Sequence, residues 1–283
     1  MQLSSEAPPR WWLWPTILSL DAPLVVVGWQ RLLARAASTR LTGADVWVLG
    51  SSVWLAYAAD RWIEGWRLTP ETTRTYRHLF YMRWRWPMAV VWAAVLAADV
   101  TASVRGLSPS ELRCGALLML AVVAYLLSHQ LVHRNHRWRA PKEACVAVLL
   151  GAGAAVFIAA HSGAHLRAAA LPLALFAALC FSNCALISVW EHEVDRIHGQ
   201  TSLALQFRGA TGLAHALPWA LLLACLVLWT ASATDSAVAA CAAASAALLG
   251  AVDVAERRTG RMPARVLADV ALMTPLALLP WIT

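Results

Sequence analysis

Apolar residues run through this chain in blocks of membrane length, separated by short polar stretches. The blocks fall near 12–35, 44–64, 87–104, 112–132, 143–161, 168–190, 213–231, 235–252 and 264–282. About 20 apolar residues suffice for a helix to cross the hydrocarbon core of a bilayer. The pattern therefore predicts about nine transmembrane helices. Proline, glycine, serine and charge punctuate them, as in Arg105-Gly106-Leu107-Ser108-Pro109, Ser162-Gly163 and Arg258-Thr259-Gly260-Arg261-Met262-Pro263. No strand-like alternation is sustained and no low-complexity linker interrupts the chain. The expected fold class is all-α, a multi-pass membrane bundle forming one domain over residues 1–283. The Ala-rich eighth block, Ala237 to Ala247, suits close helix packing, because small side chains let backbones approach.

Composition agrees with a membrane setting. The chain is 60% hydrophobic and 14% charged, with a mean hydropathy of +0.57, whereas soluble domains carry about a quarter charged residues. Too few charges remain to cover a water-exposed surface. Met1 to Arg10 is short and polar and is followed directly by the first block, so no cleavable signal peptide is expected. The six cysteines lie inside apolar blocks without zinc-type spacing and read as small packing residues. Tryptophan groups at Trp11, Trp12 and Trp14, and at Trp84 and Trp86, fit an interfacial belt rather than a base-stacking surface, and no nucleic-acid partner is expected.

Net charge is +7, and 22 of the 23 basic residues are arginine. Cytoplasmic loops collect positive charge. With the N terminus inside, 17 basic residues fall on the cytoplasmic side and 6 on the other. That asymmetry predicts a cytoplasmic N terminus, in a bacterial setting at the inner membrane, and places the ends of helices 2 and 6 in the cytoplasm.

Those two ends carry the chemistry. Tyr57-Ala-Ala-Asp60-Arg61-Trp-Ile-Glu64-Gly65 closes the second block, and Glu191-His-Glu-Val-Asp195-Arg196-Ile-His-Gly199 closes the sixth. Each holds two carboxylates four residues apart, one helical turn apart on one face. Carboxylates at the end of a bilayer-length segment are costly to desolvate and normally mark a site or an ion path. Mg²⁺ takes one or two carboxylates together with water and substrate phosphate oxygens, so two facing pairs point to Mg²⁺ and an anionic substrate. A third element, Arg134-Asn-His136-Arg137-Trp138-Arg139-Ala-Pro141-Lys142-Glu143, contains the only lysine of the chain. A compact ammonium there suits phosphate. Farther into the membrane, Asp21 and Asp269 are candidates for contact with a polar acceptor, or for pairing with an arginine.

Taken together, these motifs resemble the UbiA family of intramembrane prenyltransferases. The resemblance rests on the nine-helix pattern, the Asp-Arg-x-x-acid motif after helix 2, the acid-x-x-x-Asp-Arg-x-x-Gly-x-x-Ser-Leu motif after helix 6, and the basic-Pro-Lys segment before helix 5. It implies Mg²⁺-dependent transfer of an isoprenoid from a prenyl diphosphate to an aromatic or other small lipid-soluble acceptor, in a cavity open to membrane lipids. Carried over by position, Asp60, Glu64, Glu191 and Asp195 would hold metal and act in catalysis. Lys142, Arg61, Arg137, Arg139, Arg196, Tyr57, Asp21 and Asp269 would contact substrates. The family's usual Asn-Asp opening of the first motif reads Ala56-Tyr57 here, glutamates replace aspartates at Glu64 and Glu191, and Arg74-Thr-Tyr76-Arg77-His78 stands where an arginine-proline pair is common. Those departures mark a divergent member and keep open an alternative, a non-catalytic transporter or binding protein on the same scaffold.

Overall fold

A computed structural model describes residues 9–67, 75–128, 141–198 and 201–282. The basic residues Arg134, Arg137 and Arg139 lie outside the described residues, as do Arg74 and Gly199. After a 3-10 turn at Trp11–Leu13, the described chain forms α1 (Trp14–Ile17), α2 (Asp21–Ala36), α3 (Gly43–Arg67), α4 (Tyr76–Arg83), α5 (Arg85–Gly106), α6 (Pro109–Leu127) and α7 (Lys142–His161). It continues through α8 (Gly163–Trp190), α9 (His192–Ile197), α10 (Leu203–Gln206), α11 (Ala210–Thr230), α12 (Ser236–Thr259), α13 (Arg261–Ala271) and α14 (Thr274–Ile282). Among the described residues there is no strand. The fold is an all-α integral membrane bundle.

Each expected apolar block falls on a helix or a pair of helices. Among the described residues, six helices are long and apolar enough to cross a membrane alone, and up to seven if the bent pair Trp11–Ile17 and Asp21–Ala36 counts as one span. The first and last blocks are therefore not continuous helices. The first bends by 74° at Ser19, whose φ of 58° lies in the left-handed region. The last breaks between Ala271 and Thr274, where the indole N–H of Trp29 donates to the Leu272 carbonyl at 2.9 Å. That indole stacks on Phe176, with ring centroids 5.0 Å apart. The side chain thus satisfies a carbonyl that the helix break exposes.

Local signals explain the other ends. Pro109 opens α6 and Ser108 caps it in a capping box with Glu111, whose carboxylate accepts from the Ser108 N–H at 2.6 Å. Ser162, extended between α7 and α8, accepts from the Ala164 N–H at 3.0 Å. Asp235 caps α12 in the same manner. Gly260, at φ 83°, provides the left-handed residue that turns α12 into α13.

Helices α8 and α12 form the centre, each half buried over its apolar window, whereas α5 and α6 are 11% and 6% buried. Val90, Val100 and Val104 on α5 and Leu117 and Leu120 on α6 are exposed, which suits contact with lipid. Asp99 on α5 is buried and accepts from Ser51 and Ser52 of α3 at 2.5 and 3.3 Å. It is an interhelical tie. Trp11, Trp66, Trp84 and Trp86 are exposed near one end of the bundle, and Arg85 lies 4.3 Å over the Trp66 ring. Their exposure suits the interfacial role that the sequence leads one to expect for Trp11, Trp84 and Trp86.

Candidate functional site

Five helices bring charge to one place. On α3, Tyr57, Asp60, Arg61 and Glu64 follow helical spacing and share one stripe. α8 ends at Trp190, so Glu191 and Asp195 are not on one continuous helix as their spacing predicts. The Asp195 N–H nevertheless donates to the Glu191 carbonyl at 2.8 Å, which preserves the one-turn offset across the break. α7 begins with Lys142 and Glu143, α4 contributes Arg77 and His78, and α13 carries Arg265 and Asp269.

Helix α4 joins the two acid pairs. His78 Nε2 lies 2.7 Å from Glu64 Oε2, and its neighbour Arg77 donates to Glu191 Oε2 at 3.2 Å. Since consecutive residues bridge to the two motifs, the pairs face one cavity. Arg61 donates to Glu64 at 3.0 Å and stands 3.8 Å from Asp60. Arg265 donates to Glu191 Oε2 at 2.6 Å, and Lys142 to Asp195 Oδ2 at 3.4 Å.

The cavity has a volume of about 280 Å³. Asp21, Tyr57, Asp60, Arg61, Glu64, Lys142, Glu191, Asp195 and Asp269 all line it, as do Arg77 and Arg265. Its remaining wall is largely apolar, with Val25, Leu49, Val53, Val122, Leu150 and Phe157 among the lining. Arg196 departs from expectation. Its side chain is 66% exposed and pairs with Glu193 at 2.7 Å instead of lining the cavity. It follows Asp195 directly on α9, so about 100° of helical rotation separates the two.

Burial and charge act against each other here. Burial pushes the Glu191 carboxyl up, but Arg265 and Arg77 outweigh it and hold the group well below the usual carboxylate range. Burial lowers Arg77 to about 10, helped by repulsion from Arg265 and Arg61. Three guanidinium groups, Arg61, Arg77 and Arg265, are gathered at one buried place, where Asp60, Glu64 and Glu191 meet them. Guanidinium forks of this kind suit carboxylate or phosphate oxygens.

Sequence reasoning missed Arg77, His78, Arg265, Glu143 and Asn183 as cavity or bridging residues. The signal for Arg265 is its position four residues before Asp269, which puts both on one face of α13. Glu143 shows its role only through a distant contact: its Oε1 accepts from the Leu203 N–H at 3.0 Å, tying the chain after α9 to the start of α7.

The donor set fits Mg²⁺ in part. Among the described residues, no group of three or more His, Cys, Asp or Glu side chains forms a metal cage. Glu64 and Glu191 each present an oxygen already engaged by two side chains, Arg61 with His78 and Arg77 with Arg265. Asp60 and Asp195 border the same cavity and suit an ion that takes one or two carboxylates and completes its shell with water and phosphate oxygens.

No family model matches the chain, and no curated protein matches it in sequence. In three dimensions it is similar to the apo structure of a UbiA homolog from Aeropyrum pernix K1, with a TM-score of 0.65 and 16% identity over 91% of this chain and 96% of that one. The chain has a UbiA-like fold.

Proposed function

We propose that this chain is a divergent intramembrane prenyltransferase of the UbiA type, moving an isoprenoid from its diphosphate to a small lipid-soluble acceptor. One observation carries the reading: a single cavity joins a charged end, with Arg61, Arg77, Lys142 and Arg265 among carboxylates, to a largely apolar wall. A prenyl diphosphate has the same division between a polyanionic head and an apolar tail. The four cations bind and orient the diphosphate, and they stabilise the charge it gains as its bond to carbon breaks. Glu64 and Glu191 hold the arginines in place. Asp60 and Asp195 would hold Mg²⁺, which when bound adds positive charge at the leaving group. The apolar wall keeps water from the reacting carbon.

The test combines binding and turnover. Geranyl diphosphate and longer homologues should raise the unfolding temperature of the detergent-solubilised protein, and more so with Mg²⁺. Asp60→Asn and Asp195→Asn should abolish transfer while leaving the folded protein intact. A protein that no prenyl diphosphate stabilises, with or without Mg²⁺, would remove this reading. One observation favours a second reading, a protein that binds a lipid phosphate without transferring it: Glu64 and Glu191 are committed to arginine and histidine partners. Stabilisation by the diphosphate with no release of diphosphate in the presence of any acceptor would support that alternative.

A further inference from the structure

Outside the cavity stands a buried acid that the site does not use. Asp253 lies on α12, six residues before its end, and its side chain is 8% exposed. Among the described residues, its ion-pair partner is a histidine and not a lysine or arginine. Both of its carboxylate oxygens are filled, each from a different helix. The indole N–H of Trp190, the last residue of α8, donates to Oδ1 at 3.2 Å. His215 of α11 brings Nδ1 to 2.7 Å from Oδ2, and since a carboxylate only accepts, that nitrogen carries the hydrogen. None of the three is among the described residues that line the cavity.

The seam that carries Asp253 is closely packed. Gly250, three residues earlier on α12, lies against the ring of Trp219, where a Cβ would meet ring carbons at 2.7 and 2.8 Å. Trp219 follows His215 by four residues on α11. Successive turns of α11 and α12 therefore interlock, one by an indole against a glycine and one by an imidazole against a carboxylate.

Trp190 directly precedes Glu191. The Glu191 N–H still donates to the Ile187 carbonyl at 2.8 Å, so the hydrogen-bond ladder of α8 reaches it, and α9 begins just beyond. About 100° of rotation separates neighbours on a helix. Trp190 can thus face α12 while Glu191 faces the cavity and accepts from Arg77 and Arg265. The corner between α8 and α9 is held on one face by Asp253 and on another by two arginines.

We infer that Trp190, Asp253 and His215 form a positioning brace for Glu191. His215 fixes the Asp253 carboxylate, the carboxylate fixes the indole of Trp190, and Trp190 sets where α8 stops. The stop in turn sets where Glu191 presents its carboxylate to Arg77 and Arg265. What the brace does for a diphosphate rests on the prenyl-transfer reading above; its action on Glu191 does not.

A tie that merely joined three helices would cost stability when cut and leave the affinity of the folded protein unchanged. The experiment therefore measures affinity for geranyl diphosphate with Mg²⁺, per folded molecule, on the intact detergent-solubilised protein. Trp190→Phe keeps the ring and loses the donor, whereas Asp253→Leu cuts both ties. Each should weaken binding about tenfold, the size of effect expected when one hydrogen bond to a charged group is displaced. Asp253→Asn keeps an oxygen that accepts from Trp190 and should recover most of the loss. Combined with Glu191→Gln, Trp190→Phe should weaken binding no further than Glu191→Gln alone, because the brace acts through that carboxylate. Wild-type affinity in both Trp190→Phe and Asp253→Leu overturns the brace, as does a full tenfold effect of Trp190→Phe in the Glu191→Gln background. Should Asp253→Leu fail to fold, Trp190→Phe decides. The pair is also read without ligand, by denaturant unfolding: the losses from Trp190→Phe and Glu191→Gln should sum to more than the loss in the double variant, and simple addition overturns the brace. A wild type indifferent to geranyl diphosphate fails the transfer reading instead, and the unfolding cycle alone then judges the brace.

Discussion

Glu191 accepts from two arginines at a single oxygen, Arg77 at 3.2 Å and Arg265 at 2.6 Å. Removing its charge would leave both guanidinium groups buried without the carboxylate they donate to, and breaking a buried pair on one side costs about 3 kcal/mol or more. Glu191→Gln is therefore expected to destabilise the protein by about 3 kcal/mol, measured by denaturant unfolding in detergent. Arg265→Met should cost less, because Arg77 remains on the carboxylate. In the double variant Glu191→Gln with Arg265→Met, the loss should fall short of the sum of the single losses, which reports the coupling between the two. Costs that simply add would show that the pair is not a unit. The acidic residues were legible from spacing alone, four residues apart at the end of an apolar block. Their partners were not, since Arg77 and Arg265 stand 114 and 74 positions from Glu191 and meet it only because α4, α8 and α13 converge.

Helices were the most readable level of this chain. Long apolar runs fix α5 through α8, α11 and α12 because a bilayer admits little else than helix over that length. The breaks were hidden, and for one reason: each is stabilised by a partner from elsewhere. Trp29 satisfies the carbonyl at Leu272, and Trp54 does the same for Leu18 at the first bend, at 2.9 Å. A period of hydrophobic residues carries no record of such a donor. Close approach between helices is equally invisible in sequence, and it gives a second test. A Cβ added at Gly106, the last residue of α5, would lie 2.6 Å from the Cβ of Ala44 at the start of α3. That neighbour is anchored to backbone, so the helices must part. Gly106→Ala should cost about 1–3 kcal/mol, as overpacking does. Gly115 on α6 has nothing within 4 Å of such a Cβ, and Gly115→Ala should be neutral or stabilising by up to about 1 kcal/mol through helix propensity. Equal thermal shifts for the two variants would show that the α3–α5 contact does not limit stability.

Charge orders the molecule as a whole. The two acid motifs, Arg77, Lys142 and Arg265 gather at one end of the bundle, and the count of 17 basic residues against 6 predicts that this end faces the cytoplasm. Under the proposed prenyl transfer and this orientation, a diphosphate, which a bilayer excludes, would enter from the cytoplasmic water, while its tail and an apolar acceptor would enter from lipid. Orientation is open to a direct test, because the turns between helices offer exposed positions on both sides. Thr259 ends α12 near the basic cluster Arg257, Arg258 and Arg261, and Ala233 lies past the far end of α11; both are exposed. The six native cysteines lie within helices, so the unsubstituted protein serves as the background. With a membrane-impermeant maleimide, Ala233→Cys should label in intact cells and Thr259→Cys only after the membrane is opened. In inside-out vesicles the order should reverse. Should Thr259→Cys be the one that labels in intact cells, the acid motifs face outward, and the diphosphate would have to be supplied from the other side of the membrane. A cytoplasmic reading of the 17-to-6 asymmetry would then fail even though the fold and the cavity stand, since neither depends on which way the bundle is inserted.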